Sequence, residues 1–353
     1  MSIFSKKFID PTPAYFGLDI SDLSVKALQM TTHGEYDSVH GFATEHIKPG
    51  MIKNGSIESV DAVVDILKRV RKKAGISAKN VICSLPESKS FLRIVTIPKM
   101  KEDEVAEAIK WEIEAAIPLS IDQVYYDWQI LDTRLTKDKR QMDVIIVAVS
   151  KQFINKFLDV LRRAKLTAYG FEIDLVAQSN SLLPENEKGV TTMIIDIGDK
   201  STSFVVTTNN IPVFTSSIPL SSESMTKSIE QTFGITYKEA EKIKIMYGIG
   251  SVLKNDHVFQ ATKAVVENFA TEAQKSIDFY LDGLKYTDSI DRIVMCGGGA
   301  RMGGIAPYLS RRLGYNIELG NPWANVNFKG TPPIDRNTAV QYATVIGLAT
   351  KKI

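Results

Sequence analysis

Cysteine is scarce in this chain of 353 residues, which contains only Cys83 and Cys296. Two cysteines so far apart cannot form the disulfide framework of a small secreted domain or a cysteine-rich zinc site. The four histidines are scattered, and no pair has metal-ligand spacing with a third ligand in view. We therefore expect a protein of a reducing compartment, the cytoplasm, without a cysteine or histidine metal centre.

Long apolar runs are also missing. The most apolar segments, such as Val144 to Val149, fall far short of the roughly 18 residues of a membrane span. The amino-terminal residues lack the apolar core and cleavage site of a secretory signal. A net charge of +2, from 43 Lys and Arg against 41 Asp and Glu, argues against a dedicated DNA-binding protein, which needs a concentrated basic face.

A duplicated segment organises the chain, whose length predicts about two domains. The segments Asp19 to Val25 and Asp196 to Thr202 read DISDLSV and DIGDKST, and lie 177 residues apart. Each follows one β-rich run, leads into a second, and then meets a turn signal, His33-Gly34 or Asn209-Asn210. We predict that both halves open with a strand, a polar turn and an antiparallel hairpin.

The two polar turns admit two interpretations. Asp, Gly and Ser form turns between strands in many proteins without any ligand. Alternatively, backbone N–H groups of such turns converge on phosphate oxygens, hydroxyls add donors, and carboxylates hold Mg²⁺ through water. Two copies in register at the starts of two halves favour a phosphate clamp that closes from both sides.

A segment from about Glu87 to Thr167 has no counterpart in the second half. It follows a helix predicted at Val60 to Lys73 and a strand predicted at 81–85. Within it, patterning predicts strands at 91–97, 124–131 and 144–149, helices at 101–117 and 152–164, and a charged loop at 133–140. We interpret the segment as a small inserted α+β subdomain. Four of its aromatic residues suit either a core or an exposed binding surface: Trp111, Tyr125, Tyr126 and Trp128.

A predicted helix in the second half carries Glu241 and Lys244 three positions apart, and it ends near Gly248. An intrahelical ion pair is one explanation of this spacing. Further along, a predicted strand runs into the glycine-rich stretch CGGGARMGG, which begins at Cys296 and precedes a predicted helix at 305–313. This unit imitates a dinucleotide-binding motif, but the sixth position of the fingerprint is Met302 rather than glycine.

Together these features resemble the actin-like ATPases over nearly the whole chain. The resemblance includes the paired Asp turns, the helix with Glu241, the glycine run and the closing segment VQYATVIGLA from Val340. Lys26 stands seven residues after Asp19, where the family has a phosphate-loop lysine. Within the superfamily the chain is most similar to the PilM family of type IV pilus assembly, on the run from Ile97 to Pro118, and more distantly to the division protein FtsA.

The resemblance implies an α/β fold of two lobes, a duplicated actin-like and ribonuclease-H-like architecture with an α+β subdomain inserted in the first lobe. We expect the first lobe at residues 14–86, 168–189 and 336–353, and the inserted subdomain at 87–167. We expect the second lobe at 190–233 and 290–335, and a helical subdomain at 234–289.

The resemblance also implies a site for ATP or ADP with Mg²⁺. The first phosphate loop would comprise Asp19, Ser21, Ser24 and Lys26, and the second Asp196, Gly198, Ser201 and Thr202. The ribose would contact Glu241 and Lys244, and the adenine would contact Gly298, Gly299 and Arg301. Asp19 and Asp196 would hold Mg²⁺ through water. Asp196 and Asp174 would act in catalysis, with Asp174 orienting the attacking water.

Asp199 and Lys200 depart from the family pattern, which has small residues or glycine after the second Asp-Ile-Gly. An extra acid beside a γ-phosphate repels it unless Mg²⁺ or Lys200 compensates. We therefore expect ATP binding with at most slow hydrolysis.

The resemblance further implies a membrane-protein partner. The groove beside the inserted subdomain would receive the short cytoplasmic tail of a PilN-like inner-membrane protein as an extended peptide. The protein would then be a cytoplasmic scaffold, peripheral to the inner membrane through its partners, that responds to nucleotide. We expect no nucleic-acid partner.

Three other functions stay open. A sugar or small-molecule kinase of the same superfamily would need a second substrate site with a positioned general base. An FtsA-like division protein would share the fold. An NAD-dependent oxidoreductase would use the glycine run, but it leaves the duplicated Asp turns unexplained.

Overall fold

A computed structural model of the protein describes residues 13–131, 138–249, 257–283 and 289–352. The charged loop predicted at 133–140 lies largely outside these ranges. α7 (His257–Gly283) is the longest described helix, with 27 residues. No helix in the described ranges is apolar enough over a sufficient length to cross a membrane.

The first half of the chain is a hairpin-rich lobe followed by an inserted segment. Its first elements are β1 (Tyr15–Ile20), β2 (Ser24–His33), β3 (Tyr36–His46), β4 (Ile52–Lys53), β5 (Ser56–Ile57), α1 (Val60–Lys73) and β6 (Asn80–Leu85). A 3₁₀ helix, Glu87–Lys89, leads to β7 (Ser90–Pro98), α2 (Glu102–Ala116), a second 3₁₀ helix (Ile121–Gln123), β8 (Val124–Ile130) and β9 (Gln141–Ser150). Three elements complete this half: α3 (Lys151–Arg163), β10 (Thr167–Ile173) and α4 (Asp174–Leu182).

The second half repeats the hairpins and then becomes helical. It contains β11 (Thr191–Ile197), β12 (Thr202–Thr208), β13 (Ile211–Ile218), α5 (Ser222–Phe233), α6 (Tyr237–Tyr247) and α7. It closes with β14 (Arg292–Cys296), a 3₁₀ helix (Gly299–Arg301), α8 (Ile305–Leu313), β15 (Ile317–Leu319), α9 (Arg336–Ala339), a further 3₁₀ helix (Val340–Tyr342) and α10 (Ala343–Ala349).

Local signals explain the bounds of the first and sixth helices. α1 has the bounds predicted from its pattern, and its apolar stripe, which includes Val63 and Leu67, is buried. Thr236 and Glu239 form a capping box at the start of α6, and Gly248 follows its last residue. Both helices are thus encoded by residues within or next to them.

Each half folds around a five-stranded sheet, and the two sheets have the same strand order. The first is β10-β6-β1-β2-β3 and the second is β15-β14-β11-β12-β13. The central strands β1 and β11 each pair antiparallel with the next strand, and parallel with β6 or β14. The duplication predicted from the two Asp turns is therefore confirmed by the topology.

The inserted segment forms a three-stranded antiparallel sheet, in the order β7-β9-β8, with α2 against it. Apolar residues of α2 such as Val105 and Ile109 are fully buried in its core. Tyr126 and Trp128 pack against this core, whereas Trp111 is 73% exposed. The aromatic residues therefore divide between the two roles that the sequence left open.

α3 follows the inserted sheet in the chain but packs on the first lobe. Phe157 and Val160 of α3 share one buried core with Val63 and Leu67 of α1. The division into domains stays a prediction, and this contact ties the helix predicted at 152–164 to the core of the first lobe.

A pair of helices, α4 and α10, joins the two sheets. Leu175 of α4 is buried together with Ile194 of the second sheet. Gly347 of α10 packs directly on α4, because an added Cβ would lie 1.8 Å from the carbonyl oxygen of Ala177. The connection between the lobes therefore depends on backbone contact between two helices.

Candidate functional site

Asp19 and Asp196 occupy equivalent positions in the two sheets. Each is the penultimate residue of a central strand, β1 or β11, immediately before the polar turn. Both line the cleft between the lobes. The duplication thus brings two carboxylates, one from each lobe, to a common site.

Lys26 supplies positive charge to this site. Its Nζ lies 3.1 Å from Oδ2 of Asp19, to which it donates a hydrogen bond. Burial alone would lower the pKa of Lys26. The carboxylates of Asp19, Asp199 and Asp196 outweigh burial, so the pKa of Lys26 is raised above its usual value. The ammonium therefore stays charged among the acids.

The first turn is held by hydroxyl groups. The Ser21 and Ser24 Oγ atoms are 3.0 Å apart, and the Ser21 backbone N–H donates to the Ser24 carbonyl oxygen at 2.9 Å. Ser84 of β6 donates through Oγ to Oδ1 of Asp19 at 2.9 Å, and accepts from the Ile20 N–H at 3.2 Å. Ser84 thus holds the Asp19 carboxylate in place from the neighbouring strand β6.

Gln178 orients the second aspartate. Its Nε2 donates to Oδ2 of Asp196 at 2.7 Å, and lies 2.9 Å from Oγ1 of Thr344. Burial raises the pKa of Asp196 from 3.8 to about 6, although the Gln178 hydrogen bond acts in the opposite direction. Gln178 therefore connects α4 and α10 to the carboxylate at the end of β11.

Asp174, the first residue of α4, lies beside this pair. Its Oδ1 accepts hydrogen bonds from the N–H groups of Leu175 at 2.8 Å and Glu87 at 3.1 Å. Burial, followed by the charge of Asp196, raises the pKa of Asp174 well above its usual range. The Glu87 contact links this carboxylate to the start of the inserted subdomain.

The cleft consists of two cavities, of about 350 Å³ and 480 Å³, with a common floor. The floor comprises Asp19, Ser21, Asp174, Asp196, Gly198 and Asp199. The smaller cavity extends towards Glu241 and the glycine run. The larger one extends towards Glu87 and Lys89 at the root of the inserted subdomain, and towards Ser217 of β13.

Most of the predicted site residues line this cleft. In addition to Asp19, Ser21, Asp174, Asp196 and Gly198 of the floor, they are Ser24, Lys26, Ser201, Glu241, Gly298 and Arg301.

Three predicted site residues, Thr202, Lys244 and Gly299, do not line the cleft in this structure. Thr202 is fully buried, and its hydroxyl donates to the Leu220 carbonyl oxygen at 2.8 Å. Lys244 is only 2% exposed and its ammonium is bonded within the protein. Gly299 packs on β11, where an added Cβ would lie 2.3 Å from Cγ2 of Ile197. All three support the walls of the cleft. The alternative of an intrahelical ion pair is confirmed, at 2.8 Å between Lys244 and Glu241.

Packing explains the first glycine of the glycine run. Gly297 has a φ of +85°, and an added Cβ would lie 2.1 Å from Oδ1 of Asp196. Only glycine permits this approach of the β14 loop to β11. Close packing on the second Asp turn therefore accounts for Gly297 and Gly299, two of the glycines on which the oxidoreductase interpretation rested.

The second turn differs from the first in charge. Lys200 Nζ lies 2.6 Å from Oε2 of Glu223, at the start of α5. The Gly198 carbonyl oxygen accepts from the Ser222 N–H at 2.9 Å. Lys200 is therefore paired with Glu223 and not with Asp199, which lies on the cleft floor.

The donor set of the cleft fits a hydrated Mg²⁺. Among the described residues, no group of three or more His, Cys, Asp and Glu side chains is placed to hold a metal ion. Mg²⁺ usually keeps several waters, and binds through one or two carboxylates together with substrate phosphates. Asp19 and Asp196 are each fixed by hydrogen bonds from neighbouring side chains, which suits carboxylates that hold such an ion through water.

Sequence reasoning missed three residues of the site. Gln178 lies four positions after Asp174, so helical spacing was an available signal. Ser84 lies next to the end of β6, beside β1 in the sheet, where parallel strands bring residues to one edge. His46, at the end of β3, lines the smaller cavity. No local pattern distinguished it from the other histidines.

Comparisons with known proteins bear on the family and the fold of this chain. A family model described as type IV pilus assembly protein PilM matches residues 17–353. The cell division protein FtsA of Bacillus subtilis is 23% identical over 375 residues, covering 95% of this chain and 82% of that protein.

Two solved structures show the fold. A PilM–PilN type IV pilus biogenesis complex is 25% identical, with a TM-score of 0.82, and covers 96% of this chain and 98% of that chain. MreB5 of Spiroplasma citri bound to ADP is 12% identical, with a TM-score of 0.56, and covers 95% of each chain. The expected two-lobed actin-like fold is confirmed. The chain belongs to the PilM family of type IV pilus assembly proteins.

Proposed function

We propose that this protein is a nucleotide-responsive scaffold of type IV pilus assembly, or of a related secretion machine, that binds ATP or ADP with Mg²⁺ between its lobes. The observation that carries this proposal is the mirrored pair Asp19 and Asp196, which line one cleft from different lobes with Lys26 beside them. A ligand that contacts both lobes favours their closed arrangement to the extent that it binds that arrangement more tightly.

The nucleotide would lie across the common floor and the smaller cavity. Ser21, Ser24 and Ser201 would donate to phosphate oxygens from the two turns, and Gly198 would border the phosphates. Glu241 would accept from ribose hydroxyls, and Gly298 and Arg301 would border the base. Asp19 and Asp196 would hold Mg²⁺ through water, and the ion would neutralise phosphate charge.

Hydrolysis would be slow because the floor is strongly acidic. Asp174 would orient water towards the terminal phosphate. Asp199 adds a negative charge at the same floor, and Lys200 is already paired with Glu223. The excess of carboxylates leaves the γ-phosphate poorly compensated without Mg²⁺.

The partner would be a PilN-like inner-membrane protein, whose cytoplasmic tail docks beside the inserted subdomain. Support comes from the similarity to a PilM–PilN complex and from the larger cavity, which touches the 3₁₀ helix at Glu87–Lys89. Such docking would hold a cytoplasmic protein at the inner membrane. Since this cavity shares its floor with the nucleotide cavity, occupancy of one can affect the other.

Calorimetric titration of ATP and ADP with Mg²⁺ into the purified protein tests the nucleotide site. We expect binding by the native protein, and a loss of about 10-fold or more in Asp196→Ala, since a group fixed by charged hydrogen bonds is removed. Asp278→Ala, at an exposed site on α7, is the matched control and should bind as the native protein does. Thermal melts establish that both variants fold.

Absence of binding by the folded native protein would refute the nucleotide proposal. Transfer of the γ-phosphoryl group from ATP to an added sugar or other small molecule would favour the kinase alternative over a scaffold. Tight binding without such transfer would agree with the scaffold.

A further inference from the structure

Positive charge is concentrated in one layer of the first half. α1 and α3, together with the loops that follow them, span residues 60–79 and 151–166, which contain eleven Lys and Arg against three Asp and no Glu. The whole chain has a net charge of only +2, so the rest of the chain is net acidic. α2, for example, contains six Asp and Glu against one Lys. The two signs of charge are therefore carried by different elements.

The two helices form a single layer on one side of the first sheet. Both contribute to one buried core with β1 and β6, and Arg163 of α3 pairs with Asp61 of α1. α4 and α10 pack on the opposite side of this sheet, where Ala177 and Leu348 are buried against Ile82 of β6. The outer surface of the α1 and α3 layer thus points away from the helices that join the lobes. We call this outer surface the basic face.

Four lysines of the basic face have no partner for their charge. Lys72, Lys79, Lys156 and Lys165 are exposed, and none of them makes an ion pair or a side-chain hydrogen bond with another residue in the described part of the chain. The three Asp of the layer and Glu45 of β3 pair with five of the other cations. The four ammonium groups are therefore free to interact with an anion outside the protein.

The helix dipoles explain only part of this charge. Cations are favourable in the last turn of a helix, and the last turns of α1 and α3 contain such residues. Lys156, however, lies in the middle of α3, and Lys79 and Lys165 lie in the loops before β6 and β10. These loops are adjacent, since the Thr167 N–H donates to the Lys79 carbonyl oxygen at 2.9 Å. The unpaired lysines thus extend beyond the helix ends.

The basic face lies away from the cleft and next to the inserted subdomain. Lys79 and Lys165 are at the amino ends of parallel strands, whereas Asp19 is near the carboxyl end of β1, which is parallel to β6. At the start of α3, the Lys151 Nζ lies 5.4 Å from the centre of the Tyr125 ring of β8. A ligand of the basic face would therefore adjoin the inserted subdomain without touching the nucleotide site.

We propose that the basic face binds the surface of an anionic lipid membrane directly. Its unpaired lysines are spread over two helices and two loops, and neither cavity of the cleft is lined by residues of this layer. Such an arrangement suits a plane of headgroup phosphates better than a single shaped ligand. Lysine is a hydrated point charge on a flexible stem, and each one near an anionic membrane strengthens binding by about 5-fold.

This inference goes beyond the proposed function, because it requires neither nucleotide nor a partner peptide. The two are compatible. A membrane-protein tail docked beside the inserted subdomain would hold the adjoining basic face close to the bilayer, where its effective concentration is high and a weak affinity is enough. Contact with lipid would in turn fix the orientation of the protein on the membrane.

Sedimentation of the full chain with lipid vesicles tests this proposal. The vesicles contain phosphatidylcholine alone, or phosphatidylcholine and phosphatidylglycerol in equal parts. We expect the native protein to sediment with the anionic vesicles at about 0.05 M salt and to be released at about 0.5 M, because salt screens the attraction between exposed charges. It should not sediment with the neutral vesicles.

Charge reversal separates the basic face from the net charge of the chain. Lys72→Glu with Lys165→Glu should weaken binding to the anionic vesicles by at least about 10-fold. Lys238→Glu with Arg311→Glu, at exposed positions of α6 and α8, changes the net charge by the same amount. This control pair should bind nearly as well as the native protein.

A second pair, Lys79→Glu with Lys156→Glu, should weaken binding in the same way. It keeps the proposal testable if the first pair does not fold, as judged by thermal melting. No sedimentation of the native protein with anionic vesicles at the lower salt would overturn the proposal, as would equal weakening by the control pair or undiminished binding in folded variants of both pairs. Binding of duplex DNA but not of vesicles, lost in Lys72→Glu with Lys165→Glu, would assign the face to nucleic acid instead. Each of these results would leave the proposed nucleotide and peptide sites intact.

Discussion

Replacement of Asp196 by Asn should stabilise the nucleotide-free protein. Burial raises the pKa of Asp196 from 3.8 to about 6, and each unit corresponds to about 1.4 kcal/mol. The charged carboxylate therefore costs the folded state about 3 kcal/mol at neutral pH. Asn cannot ionise and removes this cost, but it weakens the hydrogen bond from Gln178, which is worth roughly 1 kcal/mol. We expect a net gain of about 2 kcal/mol in the free energy of unfolding.

The sign of the pH dependence identifies the cause. A raised carboxyl pKa in the folded state destabilises it above that pKa, and the cost is relieved as pH falls through about 6 towards 4, where both states are protonated. The gain from Asp196→Asn should thus be about 2 kcal/mol at about pH 7.5 and fall below about 1 kcal/mol at about pH 5.

Urea unfolding at the two pH values, with Asp278→Asn as an exposed control, measures this difference. No gain at the higher pH, or an equal gain at both, would refute the reasoning. The same variant should lose nucleotide affinity, because the Asp196 charge that destabilises the folded protein is needed to bind the ligand.

Two further predictions concern the helices behind the site. Gln178→Leu removes the donor to Asp196, whose pKa is about 6 in the native protein, so the pKa of that carboxyl should rise further. The pH above which ATP and Mg²⁺ bind tightly should then move upward in titrations across pH, and an unchanged pH dependence would contradict this role. Gly347→Ala would place a Cβ 1.8 Å from the Ala177 carbonyl oxygen and should destabilise by about 1–3 kcal/mol or more in urea unfolding. Gly330→Ala, where nothing lies within 4 Å, is its control and should change stability by less than about 0.5 kcal/mol.

The features that could be predicted from the sequence are those with a local signature. The two Asp turns lie next to strands whose patterns are visible in a few residues, so the duplicated topology and most of the cleft residues followed from them. α1 was placed correctly because its apolar stripe and its charged end residues agree. The acidic pair could be located without knowing how the lobes pack.

The features that escaped prediction depend on contacts between distant segments. Lys244 stands on the predicted helix at the predicted spacing from Glu241. Only the packing of α5 on α6 shows that its ammonium is enclosed by Ser222 and Thr226. Thr202 follows the second turn, as predicted. It is the first residue of β12, beside β13, and its buried hydroxyl donates to the Leu220 carbonyl oxygen. In both cases the residue type was compatible with a ligand contact, and the structure buries the side chain.

The common floor of the two cavities has a thermodynamic consequence. If a peptide in the larger cavity changes the affinity for nucleotide in the smaller one by some factor, nucleotide must change the affinity for that peptide by the same factor. The Glu87 N–H donates a hydrogen bond to Asp174 on that floor, so the root of the inserted subdomain takes part in any such coupling between the two cavities. The affinity of a membrane partner would then depend on whether nucleotide is bound, and the affinity for nucleotide would depend on the partner, through a single coupling free energy.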